Sequence, residues 1–223
     1  MTLSACMLAL AILGGLVAPA PAGAQPKELP LTVATTFGPS DVLRKGGEWS
    51  AAKLRDKLVE GEGARALAGG RLSLLSASGN SVRMAQLSQL FVAERAPGAP
   101  ADAPFRLQLD GGRIWVSVLP LVVTRAPLEI EAGPVTVAVR SGGTAIRANP
   151  DGSVMVRVFH GLAVARATKG GWERSVQART ELLVPAAGGA PTPRPLVSEP
   201  EEANWVKWNS DQDMAGYGMP APK

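Results

Sequence analysis

Apolar and polar residues alternate with period two along much of the chain. Phe105, Leu107 and Leu109 alternate with Arg106, Gln108 and Asp110, and Ile114, Val116 and Val118 alternate with Arg113, Trp115 and Ser117. Leu128 and Ile130 stand against Glu129 and Glu131, and Val135, Val137 and Val139 against Thr136 and Arg140. Val154, Val156 and Val158 stand in the same way against Met155, Arg157 and Phe159. Successive side chains of a strand point to opposite faces, so each stretch predicts a half-buried strand. Arg71 to Leu75 and Ser81 to Leu87 are shorter candidates. One stretch has another period: Ala51, Leu54 and Leu58 fall at helical spacing, with Lys53, Arg55, Asp56 and Lys57 between them, and admit a short helix.

Glycine pairs at 46–47, 69–70, 111–112, 142–143, 170–171 and 188–189, with the turn Asn149-Pro150-Asp151-Gly152, separate these segments and read as turns. Many short strands joined by tight turns predict an all-β fold, either a twisted antiparallel β-sandwich or a solenoid-like stack of short hairpins. Composition agrees. The 25 Gly and 19 Pro are about a fifth of the chain, against an ordinary share of about 12%. They show no Gly-X-Y register and are too diluted by Val, Leu and Ile for a wholly disordered chain. Ala96 to Pro104 is an Ala/Pro-rich loop projecting from the sheet. Residues 186–200, opened by Pro185 and carrying Pro191, Pro193, Pro195 and Pro200, read as a linker. The tail 201–223 follows, with a short C-terminal helix that sets Trp205 and Trp208 on one face at i, i+3.

At the other end, an apolar run from Met7 to Val17 and the small residues Ala18 to Ala24 precede the first charge, Lys27. The run is shorter than the roughly 20 residues that span a membrane, and Ala22 and Ala24 satisfy the signal-peptidase rule. Residues 1–24 therefore read as a secretory signal, whose missing positive n-region places the true start codon upstream. Leu3-Ser4-Ala5-Cys6 spells a lipoprotein box, but the apolar run follows the cysteine, so the match reads as coincidence. Cleavage after Ala24 leaves 199 residues without the sole cysteine, so disulfide and thiolate chemistry are excluded. The expected location is the periplasm after Sec export, with no stable transmembrane segment once the signal is cleaved. Anchoring through an uncleaved N-terminal segment is the alternative. The net charge of +4 is spread without a basic block, and export makes nucleic acid an unexpected partner.

Candidate chemistry is sparse. His160, the only histidine, ends the Val154 to Phe159 strand before Gly161, with no G-x-S-x-G elbow in the chain, and reads as a solvated strand-end residue. Asn209, Asp211 and Asp213 mimic the start of a calcium loop, but Met214 and Pro220 stand where Gly and Glu are needed. Glu129 and Glu131 share one strand face about 7 Å apart, a spacing open to acid/base work, and read more simply as its wet side. The glycine-rich turns lack the Lys-Ser/Thr of a phosphate cradle. No catalytic, metal or cofactor-binding residue is assigned. The one binding hint is aromatic: Trp115 and Arg113 lie on the polar phase of their strand and, with Trp205 and Trp208, form a candidate binding surface. Covering of Trp115 by the Ala/Pro loop or by Trp205 and Trp208 is the simpler alternative.

Several segments together resemble the FecR domain family, named after the periplasmic regulator of ferric citrate uptake. Phe105 to Val118 looks like the family's "L-x-L-x-x-G-x-hydrophobic-x-V" hairpin. Leu128 to Thr144 is similar to the strand leading into its "R-G-T" turn, here Arg140-Ser-Gly142-Gly143-Thr144 with an extra residue or two, and Ala132-Gly133-Pro134 stands for its threonine-proline. Pro150 to Val164 is similar to its next hairpin; Trp49, Leu58 to Gly61, Arg71 to Leu74 and Ser81 to Met84 resemble its entry segment and following strands. Asn204 to Asn209 with Asp213 resembles its "F-x-x-W-x-x-x-R-D" box. The resemblance covers about residues 45 to 213 and implies a lead-in segment over 25–44 and a FecR-like domain over 45–185. It implies a free-standing, non-enzymatic exported protein that binds an envelope protein or glycan, in signalling or regulation. The alternatives are a peptidoglycan-associated scaffold and a carboxylate-dependent envelope hydrolase. The sigma-factor-binding and membrane-spanning flanks of the signalling members have no counterpart here, so their regulatory role is not carried over.

Overall fold

The computed structural model describes residues 31–99, 104–118 and 128–217. The signal segment with Cys6, residues 100–103 of the Ala/Pro loop and residues 218–223 of the tail lie outside them. Eight short strands come first: β1 (Leu31–Phe37), β2 (Ser40–Leu43), β3 (Trp49–Ala51), β4 (Lys57–Leu58), β5 (Gly63–Ala66), β6 (Arg71–Leu75), β7 (Ser81–Met84) and β8 (Ser88–Val92). They are followed by β9 (Phe105–Val118), β10 (Leu128–Ala132), β11 (Val135–Ala148) and β12 (Val154–Ala167), of which β9, β11 and β12 are each 14 residues long. Then come β13 (Glu173–Gln177), β14 (Thr180–Val184), β15 (Arg194–Pro195), a 3-10 turn (Pro200–Glu202) and the helix α1 (Ala203–Tyr217). The chain is mostly β, with its helix after the Pro-rich segment. Among the described residues no helix is long and apolar enough to cross a membrane.

The three long strands each serve two wings of one sheet. The first half of β9 pairs with β8 and β10, and its second half with β7 and β11. Likewise β11 leaves β10 for β9, and β12 takes β14 on one half and β13 on the other. The sheet is mixed rather than wholly antiparallel, because β10 runs parallel to β9. The apolar rows of both wings, Leu107 and Val137 in the first and Ile114, Ile146 and Val156 in the second, join one hydrophobic core. The two wings thus share one core within a single open mixed sheet. β1 and β2 belong to the same sheet, so among the described residues it includes strands ahead of the FecR-like segments.

The bends that make the wings lie inside strands. Leu109 pairs with Leu90 and Gly111 with Gln89, which leaves Asp110 as an extra residue; the positions of β9 that enter the main core accordingly switch from odd (Leu107, Leu109) to even (Ile114, Val116, Val118). β11 skips Arg140 and β12 skips Phe159 in the same way. Such bulges bend a strand and re-aim its side chains. At the crossing of β11 and β12, Gly142 and Gly161 have φ of +79° and +86°. A Cβ on Gly142 would stand 2.2 Å from the His160 carbonyl oxygen, and one on Gly161 2.1 Å from that of Ser141. Glycine is thus required on both strands. The pairs 111–112 and 142–143, expected as turns, instead kink continuous strands. The expected hairpins of Phe105 to Val118 and Pro150 to Val164 correct accordingly: the first is one bent strand, and the second is a turn feeding one bent strand.

The short helix at 51–58 does not form. Of its apolar positions only Leu58 is buried, Leu54 faces solvent, and Arg55 takes φ of +68°. The Asp56 carboxylate accepts from the Lys53 N–H at 2.8 Å, closing a turn between β3 and β4. With no apolar face to bury, the helical spacing has nothing to stabilise it.

Candidate functional site

The even positions of β9 and β12 in the second wing enter the core, so the odd positions point outward. Cross-strand pairing lines up Arg83, Trp115, Ala145, Arg157 and Glu181 from β7, β9, β11, β12 and β14, and beside them Ser117, Gly143 and His160. Arg113 and Arg147 pair one step away. A face with four guanidinium groups around Trp115 and Phe159, stacked with centroids 4.7 Å apart, suits neither a dry core nor water. It is covered by α1.

The tail meets this face with Glu202, Trp205, Asn209 and Asp213, spaced three, four and four residues apart and all buried. Glu202 closes the 3-10 turn and the other three form one stripe of α1 in line with it. Asp213 sits at its far end: Oδ1 receives Arg83 Nη1 at 2.6 Å and the Ser117 hydroxyl at 2.6 Å, and Oδ2 receives Trp115 Nε1 at 3.0 Å. Arg83 also donates to the Asn209 carbonyl at 3.2 Å. At the near end, Glu202 pairs with Arg113 at 2.7 Å, Arg147 at 2.8 Å and Arg157 at 2.6 Å. Glu199 adds pairs to Arg147 and Arg157, and Glu181 holds Arg157 at 3.1 Å and Arg194 at 2.8 Å. Between the ends, the Arg113 guanidinium lies 5.0 Å from the Trp205 ring centroid. Burial alone would push the Asp213 carboxyl up, but the neighbouring His160, Arg83 and Ser117 outweigh it and hold the group below its ordinary range. Alongside the helix runs a cleft of about 430 Å³ lined by Phe159, Leu196, Val206, Arg157 and Lys207.

No protein-family model and no curated protein matches this chain. Among solved structures it is similar to a candidate anti-sigma factor from Parabacteroides distasonis, with a TM-score of 0.51 and 11% identity. The match covers 66% of this chain and 64% of that one, so the chain spans under two thirds of that structure's length. A second candidate anti-sigma factor structure from the same organism gives a TM-score of 0.40 and 13% identity over 69% of this chain and 68% of that one. The likeness is one of fold.

Within that fold, the tail that carries Trp205 and Trp208 covers Trp115, the simpler of the two expectations. Trp115 is fully enclosed and its indole N–H is committed to Asp213 and Ser117. It is a ceiling for the tail, not an open platform. Trp205 is buried against the sheet, and Trp208 stacks on Trp205 at 5.5 Å with Arg71 at 5.4 Å from its own ring centroid. Arg113 is spent on Glu202 and Trp205. In the family-motif turn, Arg140 is the exposed bulge residue, Gly142 and Gly143 pack against His160, and Thr144 is buried.

His160 is half-buried and bonded rather than free at a strand end. Its Nδ1 accepts from the Gly143 N–H at 3.1 Å, which puts the ring proton on Nε2, 3.6 Å from Asp213 Oδ2. Ser117, His160 and Asp213 thus gather the residue types of a hydrolase triad with the wrong wiring. Ser117 donates to the carboxylate, and the histidine's acceptor nitrogen is already bonded, so no base faces the hydroxyl. Asp211 points outward to Lys207 while Asn209 and Asp213 point inward, so these three oxygens do not converge. Glu129 is no wet-side residue either: it is buried and bonded to Arg106 at 3.3 Å and Arg166 at 2.8 Å.

Proposed function

We propose that the chain is an exported, non-enzymatic regulator of FecR type that acts from the periplasm by binding another envelope protein. The observation that carries this is the outer face of the second wing, built for recognition by fixed charge pairs rather than for chemistry. In support, each buried carboxylate among the described residues (Glu62, Glu129, Glu181, Glu202 and Asp213) is bonded to an arginine. A carboxylate so held has oxygens already engaged by a guanidinium and is poorly placed to meet a substrate. The segments resembling FecR motifs fall on β3, β4, β6, β7, β9 to β12 and α1, and the similar fold of a candidate anti-sigma factor favours a regulatory role over a scaffold. Enclosure of Trp115 leaves no open indole there for a sugar ring to stack on, which favours a protein over a glycan as the partner.

The test is transcriptional. Deleting the gene should change a limited regulon, and expressing the chain with its N-terminal segment should restore it. An unchanged transcriptome, or full restoration by a chain lacking residues 1–24, would overturn the reading.

A further inference from the structure

We infer that the outer face of the second wing is a docking groove for an acidic, aromatic-bearing helix of another protein, and that α1 occupies it in cis until such a helix displaces it. This rests on the reading of the chain as a protein-binding regulator and specifies the partner's chemistry. The groove recognises a spacing: a carboxylate met by Arg113, Arg147 and Arg157, an aromatic ring three residues on beneath Arg113, and a second carboxylate eleven residues after the first, met by Arg83 and Ser117. Charge complementarity selects the occupant, because four guanidinium groups converge on one face and their counter-charges come mainly from the tail.

Two observations separate this face from an ordinary buried interface. The fit of α1 is incomplete: Trp205 Nε1 and Asn209 Oδ1 are buried in residues at most 5% exposed and have no hydrogen-bond partner among the described residues. Unpaired buried polar atoms weaken the seat they sit in. The cleft of about 430 Å³ beside α1, floored by Phe159, also leaves apolar surface that the tail does not fill. A partner helix that keeps the three anchors, offers an acceptor to one position and fills the cleft binds better than the resident one. Tethering gives α1 an effective concentration on the order of millimolar, so only a helix with that better fit opens the face.

The test uses the full chain and two labelled probes: a peptide of residues 199–217, and an unrelated helix-forming peptide carrying Glu, Trp and Asp at the same spacing. Both should bind the Asp213→Asn chain at least about tenfold more tightly than the unaltered chain, because the variant loosens α1 but leaves the groove intact. Replacing the two anchor carboxylates of either probe by amides should abolish binding. Glu202→Gln, which loosens the opposite end, keeps the test available if Asp213→Asn does not fold. No binding to either variant, binding indifferent to the probe carboxylates, or dimerisation of the variants by tail exchange would each overturn the proposal. Failure here with the regulon effect intact rejects the groove and leaves the regulatory reading standing.

Discussion

Replacing Trp115 by alanine separates a load on the fold from a load on binding. The side chain is fully buried, stacks on Phe159 at 4.7 Å and donates to Asp213 at 3.0 Å. Truncating a buried tryptophan costs about 3–5 kcal/mol from lost transfer energy and the cavity left behind. In a domain of this size each kcal/mol moves the midpoint by about 2–4 °C, so a fall of roughly 6–20 °C is expected. Trp115→Phe keeps most of the volume and loses the N–H, while Arg83 and Ser117 still serve Asp213; its cost is about 1–2 kcal/mol. Thermal melts followed by circular dichroism at constant protein concentration read both. The loss from alanine should be reproduced in urea with an unchanged slope, because packing is lost and not compactness. A Trp115→Ala chain that melts within about 2 °C of the parent would refute the burial of this residue and return it to an open face.

Three further outcomes follow from the same geometry. Gly142→Ala puts a Cβ 2.2 Å from a backbone oxygen at φ of +79° and should cost at least about 2 kcal/mol, whereas Gly46→Ala, at φ of +69° with nothing within 4 Å, should cost about 1; chemical denaturation compares them. Asp213 has a depressed carboxyl, so its contribution is present above the unfolded value of about 3.9 and is lost as the pH falls through the lower folded value. Acid titration followed by tryptophan fluorescence should therefore show tail release below about pH 4, and Asp213→Asn should remove that transition; an identical transition in the variant contradicts the assignment. Glu129→Gln strips one partner from two arginines and should destabilise the fold by about 1–3 kcal/mol, while Glu131→Gln on the same strand should leave the urea midpoint nearly unchanged.

The strands of the second half were legible because period two is a local property, and even the bends left a trace. In β9 the apolar phase switches from odd to even across Gly111-Gly112, and in β12 from Val158 to Ala163 across Gly161. Reading the glycine pairs as turns missed this, since a bulge and a turn can carry the same glycine and differ in whether the strand runs on or reverses. The parallel pairing of β10 with β9 leaves no mark in either strand's own pattern. The site was legible in parts. Trp115 and Arg113 stood out on the polar phase, and Trp205 and Trp208 shared a helix face. Arg83 and Asp213 are 130 residues apart, and each alone looks like a solvated charge. What joins them is the return of the tail over the second wing, a matter of long-range packing. An outward row combining arginines with Trp115 and Phe159 is the available signal, because such a row calls for an acidic cover.

Folding of the tail onto the sheet is the central claim, and a double-mutant cycle between Arg83 and Asp213 tests it most directly. The two side chains meet at 2.6 Å in a buried setting, so Arg83→Met and Asp213→Asn should be strongly non-additive, with a coupling of about 1–3 kcal/mol in unfolding free energy. Additivity within about 0.3–0.5 kcal/mol would mean that the helix does not lie on this face, and the account of the site would fall with it.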